Sequence, residues 1–535
     1  MKPSRKILFI VICLDPTPFK TVDNFSIHSM PFGVLSIMSY CKKNVFSYDC
    51  SFSIMEIFVN DEDIDKKIID CLQEFNPDIV AFSAMFNHLC PVIFKLSQII
   101  KENKKEIFTI AGGIGVSDTY DEFFNYTDNI DAICFSEGEL PLSALLNADD
   151  LFSFVENHKS WLTPRTIKNG KKPLYDLLDN IDEIPSFYNL IDIRNYILQT
   201  MSRTDGRLIK MFPMVTTRGC PYNCNFCSAA FRSGKKVRSF SANRIISDIN
   251  IINNSIEVDM FSFRDDQFLL DKNRAITILK YIAKIGKSAS PEAGINISLM
   301  DEEIAYWFKQ TNVTQVSLPV ESGSTRMLKE VIKKPLNLKQ VKPIIDLLRR
   351  YDIVTTGNFI CGMPGETPED RKLTEDFIEE TGFDNVTFFT ATPLKGTKLY
   401  DECIKQGYIN NLNIFDKKSF FNGYITAQYI DPVEITKYTY ILNLKFNFIR
   451  NYNYLHGDFE KAAIFFQRVS ELDHNHAISH YYLAQTYNKL GKTEQRDRYI
   501  ELYKKIINND NKWREYALFF NMELNPSFAN GINLH

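Results

Sequence analysis

The chain has 535 residues, 44% of them apolar and 24% charged, a globular composition with room for about three or four domains. Its formal net charge of −4 gives no whole-chain electrostatic reason to bind nucleic acid, so any basic site must be local. Eleven irregularly spaced cysteines do not read as a disulfide framework, and a clustered trio among them fits a metal site in a reducing compartment.

The N-terminal run KILFIVICL is short and ends in Asp15-Pro16 without a small-residue cleavage pattern, so it reads as a buried first strand and not as a signal peptide. No other apolar run approaches the about 20 residues of a membrane span, which predicts a cytoplasmic protein with no span. Strand-like ILFIVICL, VFSYDC, DIVAFSAM, IFTIAGG and DAICFSEGE alternate with helix-like PFGVLSIMSYCKK, PVIFKLSQIIKENK and PLSALL. Continuous apolar strands in that alternation predict an α/β, doubly wound Rossmann-like domain over residues 1–148. Residues 149–205 are less periodic, with a turn at Lys168-Asn169-Gly170 and with Pro164, Pro173 and Pro185, and read as a linker.

Over residues 206–410 six strand-like segments, MFPMVTTRG, DMFSFRDD, GINISL, QVSLPVES, TTGNFICGMPG and NVTFFTATP, alternate with helix-like stretches. They predict a partial (β/α)6 barrel whose chemistry lies where strands end and loops begin. Over 411–535 the pattern is helical. Gly457 and Gly491 stand 34 residues apart in related surroundings, the period of a tetratricopeptide repeat, with Ala462, Phe466, Leu483, Ala484 and Tyr487 at packing positions and Arg496 out of pattern. So short an array cannot stand alone and is expected to pack on the catalytic body or on a protein partner. If the boundary falls at 411, removing the chain from about Leu412 should leave the cysteine site intact.

In TTRGCPYNCNFC, directly after the first barrel strand, Cys220, Cys224 and Cys227 form a C-x3-C-x2-C loop. A structural zinc site wants four ligands, and the next cysteine is Cys361 and the closest downstream histidine His456. A 4Fe-4S cubane held by three cysteines keeps one iron open, as a reaction centre requires. The loop resembles that of the radical S-adenosylmethionine (radical SAM) enzymes, including the aromatic Phe226 before the last cysteine. The resemblance extends to Asp265 and Asp266 in FSFRDDQF, to Glu321, Ser322 and Gly323 in PVESGSTRMLK, to Gly362 and Gly365 in GNFICGMPGET, and to Pro393, Gly396 and Thr397 in ATPLKGTKLY. It implies a 4Fe-4S cluster on the three cysteines, S-adenosylmethionine on its open iron and among these motif residues, and a 5′-deoxyadenosyl radical as the product of electron transfer. A carboxylate or hydroxyl at a strand end can hold ribose hydroxyls or an ammonium, and a glycine admits a purine; each motif alone reads equally well as a turn.

The N-terminal domain resembles the cobalamin-binding domain of one radical SAM class at Ser83 and Met85 in AFSAMF, at Gly112 and Gly113 in TIAGGIG, and at Glu137 and Glu139 in SEGELPL. The D-x-H-x-x-G loop that supplies an axial histidine in other cobalamin proteins is absent after the first strand, so the resemblance implies cobalamin without a protein axial histidine. His28 and His88 are the domain's histidines nearest such a site and read first as ordinary surface or core residues. The run from Gly234 to Arg238 reads as a solvated loop that could also meet an anion or an electron donor, and the aromatic tail as helix packing, with no nucleic acid expected.

Together these features predict a cobalamin-dependent radical SAM methyltransferase acting on an unactivated carbon or phosphinate centre of a small molecule or secondary metabolite, served by a reductant such as flavodoxin or ferredoxin. The alternative is an enzyme with the same cofactors that cyclises, rearranges a ring or oxygenates without methyl transfer. An interaction protein built on a dead barrel is disfavoured by the intact trio, since idle thiols are an oxidation liability. The helical tail also argues against a tRNA methylthiotransferase, which carries an RNA-binding barrel there.

Overall fold

A computed structural model describes residues 2–14, 30–59, 61–201, 208–292, 294–409 and 413–522. The N-terminal sheet runs in the order β2-β1-β3-β4-β5-β6. Its strands are β1 (Ser4–Cys13), β2 (Asp49–Phe58), β3 (Ile79–Ala84), β4 (Phe108–Gly112), β5 (Ala132–Cys134) and β6 (Trp161–Leu162). The first five are parallel, and β6 closes the sheet antiparallel to β5. Alternate residues of β1 feed two cores, Ile7, Phe9 and Val11 on one face and Leu8, Ile10 and Ile12 on the other. That two-sided burial is why the strand is continuously apolar.

Two strands fall where a linker was expected. Trp161–Leu162 completes the first sheet, and β7 (Leu198–Met201) pairs antiparallel with β8 (Leu208–Met214). The short antiparallel pair β9 (Thr217–Arg218) and β10 (Arg238–Ser239) closes the base of the cysteine loop. The barrel is open and made of two sheets. One has the order β12-β11-β8-β7, with β11 at Met260–Phe263 and β12 at Ser288–Pro291. The other is β13 (Gln315–Glu321), β14 (Val354–Cys361) and β15 (Asn385–Thr390), all parallel. GINISL is therefore not a strand: the third barrel strand precedes it, and Ile297–Leu299 is a 3-10 turn capped by the Asn296 side chain.

The barrel core lies between the sheets and their outer helices. Phe212, Phe261, Leu318, Phe359 and Phe388 share it with Ile345, Ile378, Ile435, Leu442 and Phe446. Those last three lie in the segment made of the helix Pro432–Leu444 and the π turn Lys445–Ile449, which covers the free edge of β15. Asn443 accepts from Phe388 N–H (2.9 Å) and donates to its carbonyl (3.0 Å), and Asn447 does the same for Val386 (2.9 and 2.8 Å). Asn451 donates to the Asp384 carbonyl (3.3 Å). Three carboxamides thus replace the missing neighbour strand, satisfying backbone groups that an open edge would leave unpaired.

A boundary at 411 therefore cuts through the barrel core, and one after about residue 451 respects it. Beyond it, the helices Phe459–Leu472, Ala477–Lys489, Thr493–Asn509 and Asn511–Phe519 have their own core, where Ala462, Phe466, Leu483 and Tyr487 meet. Gly457 and Gly491 take left-handed turn positions (φ +82° and +69°).

Candidate active site

The cysteine loop starts where β8 ends, and three anchors hold it. Gly219 has φ +90°, and a Cβ there would stand 2.6 Å from the Lys236 carbonyl, so the turn into Cys220 requires glycine. Asn225 N–H donates to the Ile332 carbonyl (3.0 Å), and its own carbonyl accepts from Leu399 N–H (2.9 Å). Phe226 packs against the apolar cluster to which Met327 and Leu328 belong.

Desolvation pushes all three thiols up, Cys224 to about 11, and Cys220 and Cys227 add to the rise at Cys224; Cys220 and Cys224 are half-buried and Cys227 is exposed. The Lys334 ammonium opposes this at Cys220 and Cys224. Among the described residues no three His, Cys, Asp or Glu side chains converge as the ligands of a single ion do. Cubane ligands bind three separate irons and need no such convergence. Two half-buried thiols and one exposed thiol on a single loop, beside a cation, suit an anionic iron–sulfur cluster.

The motif residues divide sharply. Asp265 is buried, and its carboxylate accepts from Thr216 N–H, the Thr216 hydroxyl and Thr217 N–H (2.9 Å for the last). It pins the turn after β11 to the strand end before the cysteine loop and has no oxygen free for ribose. Ser322 Oγ lies 3.2 Å from Thr374 Oγ1 and accepts from Ser324 N–H (3.1 Å). A Cβ on Gly323 would meet Thr374 Cα at 2.7 Å, so this glycine admits the helix Pro368–Thr381 and not a purine. Gly362 (φ +84°) donates its N–H to Glu366 (2.7 Å), which also binds Arg371 (3.0 Å). Gly365 (φ +87°) gives its carbonyl to Arg326 (2.8 Å). These residues shape the strand ends from within.

The groups that do face the recess are others. Glu321 (φ +74°) binds Lys334 at 2.9 Å, and both act electrostatically on Cys224. Asp266 is open to solvent yet crowded; burial pushes its carboxyl up against the pull of Arg232, and its charge reaches Cys220 and Cys227. Gln267 donates from Nε2 to Cys220 Sγ at 3.3 Å. Tyr222 OH accepts from Asn296 at 2.6 Å. The sequence reading missed Gln267 and Lys334, which lie within or just beyond the quoted motifs and carry no signature of their own.

In the N-terminal domain the strand order reverses between β1 and β3, and ligands of doubly wound sheets lie at the carboxyl ends there. At that end Met85 and Phe86 are exposed apolar residues beside the half-buried Ser83. An exposed apolar ledge of this kind suits the face of a corrin ring. Gly113 (φ +91°) serves the fold instead: its Cβ would stand 2.6 Å from the Ala84 carbonyl. A Cβ on Gly112 would find only ordinary contacts at 3.8 Å. His88 stacks on Phe86, with Nε2 buried and its pKa lowered by burial and by Lys417. His28 lies outside the described residues.

Glu137 and Glu139 face the barrel. Arg238 binds both oxygens of Glu137 (2.6 and 2.8 Å), and Arg218 binds Glu137 (3.0 Å), Glu139 (2.8 Å) and Ser36 Oγ (2.8 Å). Burial pushes the Glu137 carboxyl up, but the two guanidiniums outweigh it and hold it below the usual range. The two arginines stand on β9 and β10 at the base of the cysteine loop, so one buried ionic seam fixes the loop to the doubly wound domain. Of the basic run only Lys235 and Lys236 are exposed, the latter paired with Asp179 (2.7 Å).

Comparison with known proteins agrees with this architecture. Residues 214–378 match the radical SAM superfamily and residues 22–146 the B12 binding domain. The chain is 30% identical over 369 residues to an uncharacterized methyltransferase of Pyrococcus horikoshii, covering 66% of this chain and 78% of that protein. It is 26% identical over 429 residues to the cytidylyl-2-hydroxyethylphosphonate methyltransferase of Streptomyces wedmorensis (73% and 78% covered). Its fold is similar to the cobalamin-dependent S-adenosylmethionine radical enzyme OxsB (TM-score 0.61, 14% identity, 96% of this chain and 81% of that one). It is also similar to the radical S-adenosylmethionine methyltransferase TsrM from Kitasatospora setae (TM-score 0.56, 15% identity, 75% and 76%). No described helix is long and apolar enough to cross a membrane. The chain belongs to the radical SAM superfamily, among the members that carry a B12 binding domain ahead of the radical SAM domain.

Proposed function

We propose that this enzyme is a cobalamin-dependent radical SAM methyltransferase that methylates an unactivated carbon or phosphinate centre of a small molecule. The observation that carries the proposal is the ionic seam. Arg218 and Arg238 hold the base of the cysteine loop on Glu137 and Glu139, so the thiol recess and the carboxyl ends of the N-terminal sheet belong to one rigid site. In this reading Cys220, Cys224 and Cys227 hold the cluster. Asp266 and the Glu321–Lys334 pair border the bound S-adenosylmethionine, and Ser83, Met85 and Phe86 meet cobalamin. When bound, these cofactors supply a hydrogen-abstracting radical and a transferable methyl group. The chain's own part is to keep the thiols ionisable through Lys334, to anchor the loop through Asn225 and Phe226, and to hold the two domains in one alignment.

Two similar proteins are named methyltransferases, which favours this reading over cyclisation. The alternative keeps support from the anaerobic magnesium-protoporphyrin IX monomethyl ester cyclase of Rubrivivax gelatinosus, 25% identical over 61% of this chain and 58% of that protein. A cytoplasmic setting, a flavodoxin or ferredoxin reductant, a degenerate tetratricopeptide-like tail and a protein contact through it complete the proposal.

With a competent substrate, methyl transfer releases 5′-deoxyadenosine and S-adenosylhomocysteine in roughly equal amounts and carries deuterium from methyl-labelled S-adenosylmethionine into product. Altered substrate with 5′-deoxyadenosine but neither S-adenosylhomocysteine nor label would select the alternative. Replacing the three cysteines by Ala removes both the cluster and 5′-deoxyadenosine formation.

A further inference from the structure

The carboxamide of Gln267 reaches from the turn after β11 to the sulfur of Cys220, with Nε2 to Sγ at 3.3 Å. The turn that carries it is pinned on both sides. Asp265 ties it to Thr216 and Thr217, just ahead of the cysteine loop, and Phe268 stacks on Phe263 with ring centroids 4.4 Å apart. The Gln267 carboxamide oxygen is buried and has no partner among the described residues, so the side chain is not spent on holding the fold together at both ends. Its one side-chain bond among the described residues is a donor to a sulfur. A sulfur bound to iron carries no proton and can only accept, so with Cys220 as a ligand the carboxamide must turn its nitrogen toward it.

We propose that Gln267 is a positioning residue that tunes the cluster: its N–H holds Cys220 Sγ and raises the cluster's reduction potential. The inference rests on the reading of Cys220 as a cluster ligand. The physical reason is charge. An N–H donor beside a ligating sulfur stabilises the extra electron of the reduced cluster more than the oxidised form, and hydrogen bonds to cluster sulfurs are among the main protein levers on potential. Glu321 is neutralised by its pairing with Lys334, which leaves Asp266 as the negative charge acting on Cys220, and a neutral donor offsets it without adding a charge.

The test is a redox titration followed by electron paramagnetic resonance, on full-length protein reconstituted with iron and sulfide and without S-adenosylmethionine. Wild type is compared with Gln267→Leu, which keeps bulk and loses the donor, and with Gln267→Glu, which keeps shape and replaces the donor by an acceptor. The expected order of potential is wild type above Leu above Glu, at unchanged iron content. The Leu variant should show about a fivefold lower reduced-to-oxidised ratio at the wild-type midpoint, a shift of about 40 mV at 59 mV per tenfold for one electron. Equal potentials in all three overturn the proposal, as does lost iron content in both variants, which would make Gln267 a structural support only. Wild-type protein with no 4Fe-4S signal would instead overturn the reading of the cysteine trio.

Discussion

At the scale of single residues, chemistry separates groups that the motifs list together. The cysteine thiols are raised by burial, Cys224 to about 11, so at neutral pH the iron-free loop is largely protonated. Cluster assembly needs thiolates and releases protons. The rate of reconstitution should therefore climb as pH rises from 7 to 9, and Lys334→Met, which removes the opposing cation, should shift that rise to higher pH; stopped-flow absorbance checks both. The glycine pair gives a second test. Gly113→Ala meets a positive φ and a backbone oxygen at 2.6 Å and should cost about 2–5 kcal/mol in denaturant unfolding. Gly112→Ala finds room in the protein and should leave stability within about 1 kcal/mol. If cobalamin approaches this backbone, only its retention on gel filtration falls in Gly112→Ala. The sequence displays residue types but not what fills their hydrogen bonds. That is why Asp265, Ser322, Gly323 and Gly362 read as ligand contacts while each is satisfied within the fold, and why Gln267 went unremarked.

At the scale of elements, the strands legible in the sequence are those buried on at least one apolar face. ILFIVICL, DIVAFSAM and QVSLPVES are found where their patterns place them, and the cysteine loop follows its strand as expected. The third barrel strand was misplaced for a physical reason. Its Ser288 and Ser290 alternate with the buried Ala289 and its last residue is Pro291, so no apolar rhythm distinguishes it from a turn, whereas Ile295, Ile297 and Leu299 alternate without forming a strand. The helix edging β15 was equally illegible as a barrel element, because its signal is three asparagines four residues apart, a spacing that matters only once an open edge is in view. Asn447→Leu leaves the N–H and carbonyl of Val386 buried and unpaired. At about 1–3 kcal/mol for each group, the variant should lose about 2–5 kcal/mol by thermal unfolding, and Asn447→Asp, which restores only the acceptor, should fall between it and wild type.

At the scale of the whole molecule, two joints decide what can be separated. The ionic seam joins the N-terminal domain to the cysteine loop, and Arg238→Met leaves part of Glu137 uncompensated, at a cost of about 3–5 kcal/mol. Because the two arginines hold Glu137 below its ordinary 4.5, the seam's contribution is present above that pH and fades as pH falls through the lower folded value, so the difference between wild type and Arg238→Met should shrink in acid. The second joint is the edge helix. A chain ending at 411 strips Ile435, Leu442 and Phe446 from the core they share with Leu318, Phe359 and Phe388, and uncovers the backbone edge of β15. It should aggregate and fail to take up iron. A chain ending at 457 keeps that helix and exposes Leu444 and Phe448, with Tyr440, Ile449 and Tyr454 beside them, which pack on the tail's core and not on the barrel's. It should remain folded, less stable than the full chain, with the cluster's visible charge-transfer absorption retained. Iron content and sedimentation of the two truncations decide the matter: a folded, iron-loaded chain ending at 411 would show that the asparagine-lined helix is an accessory and that the barrel closes without it.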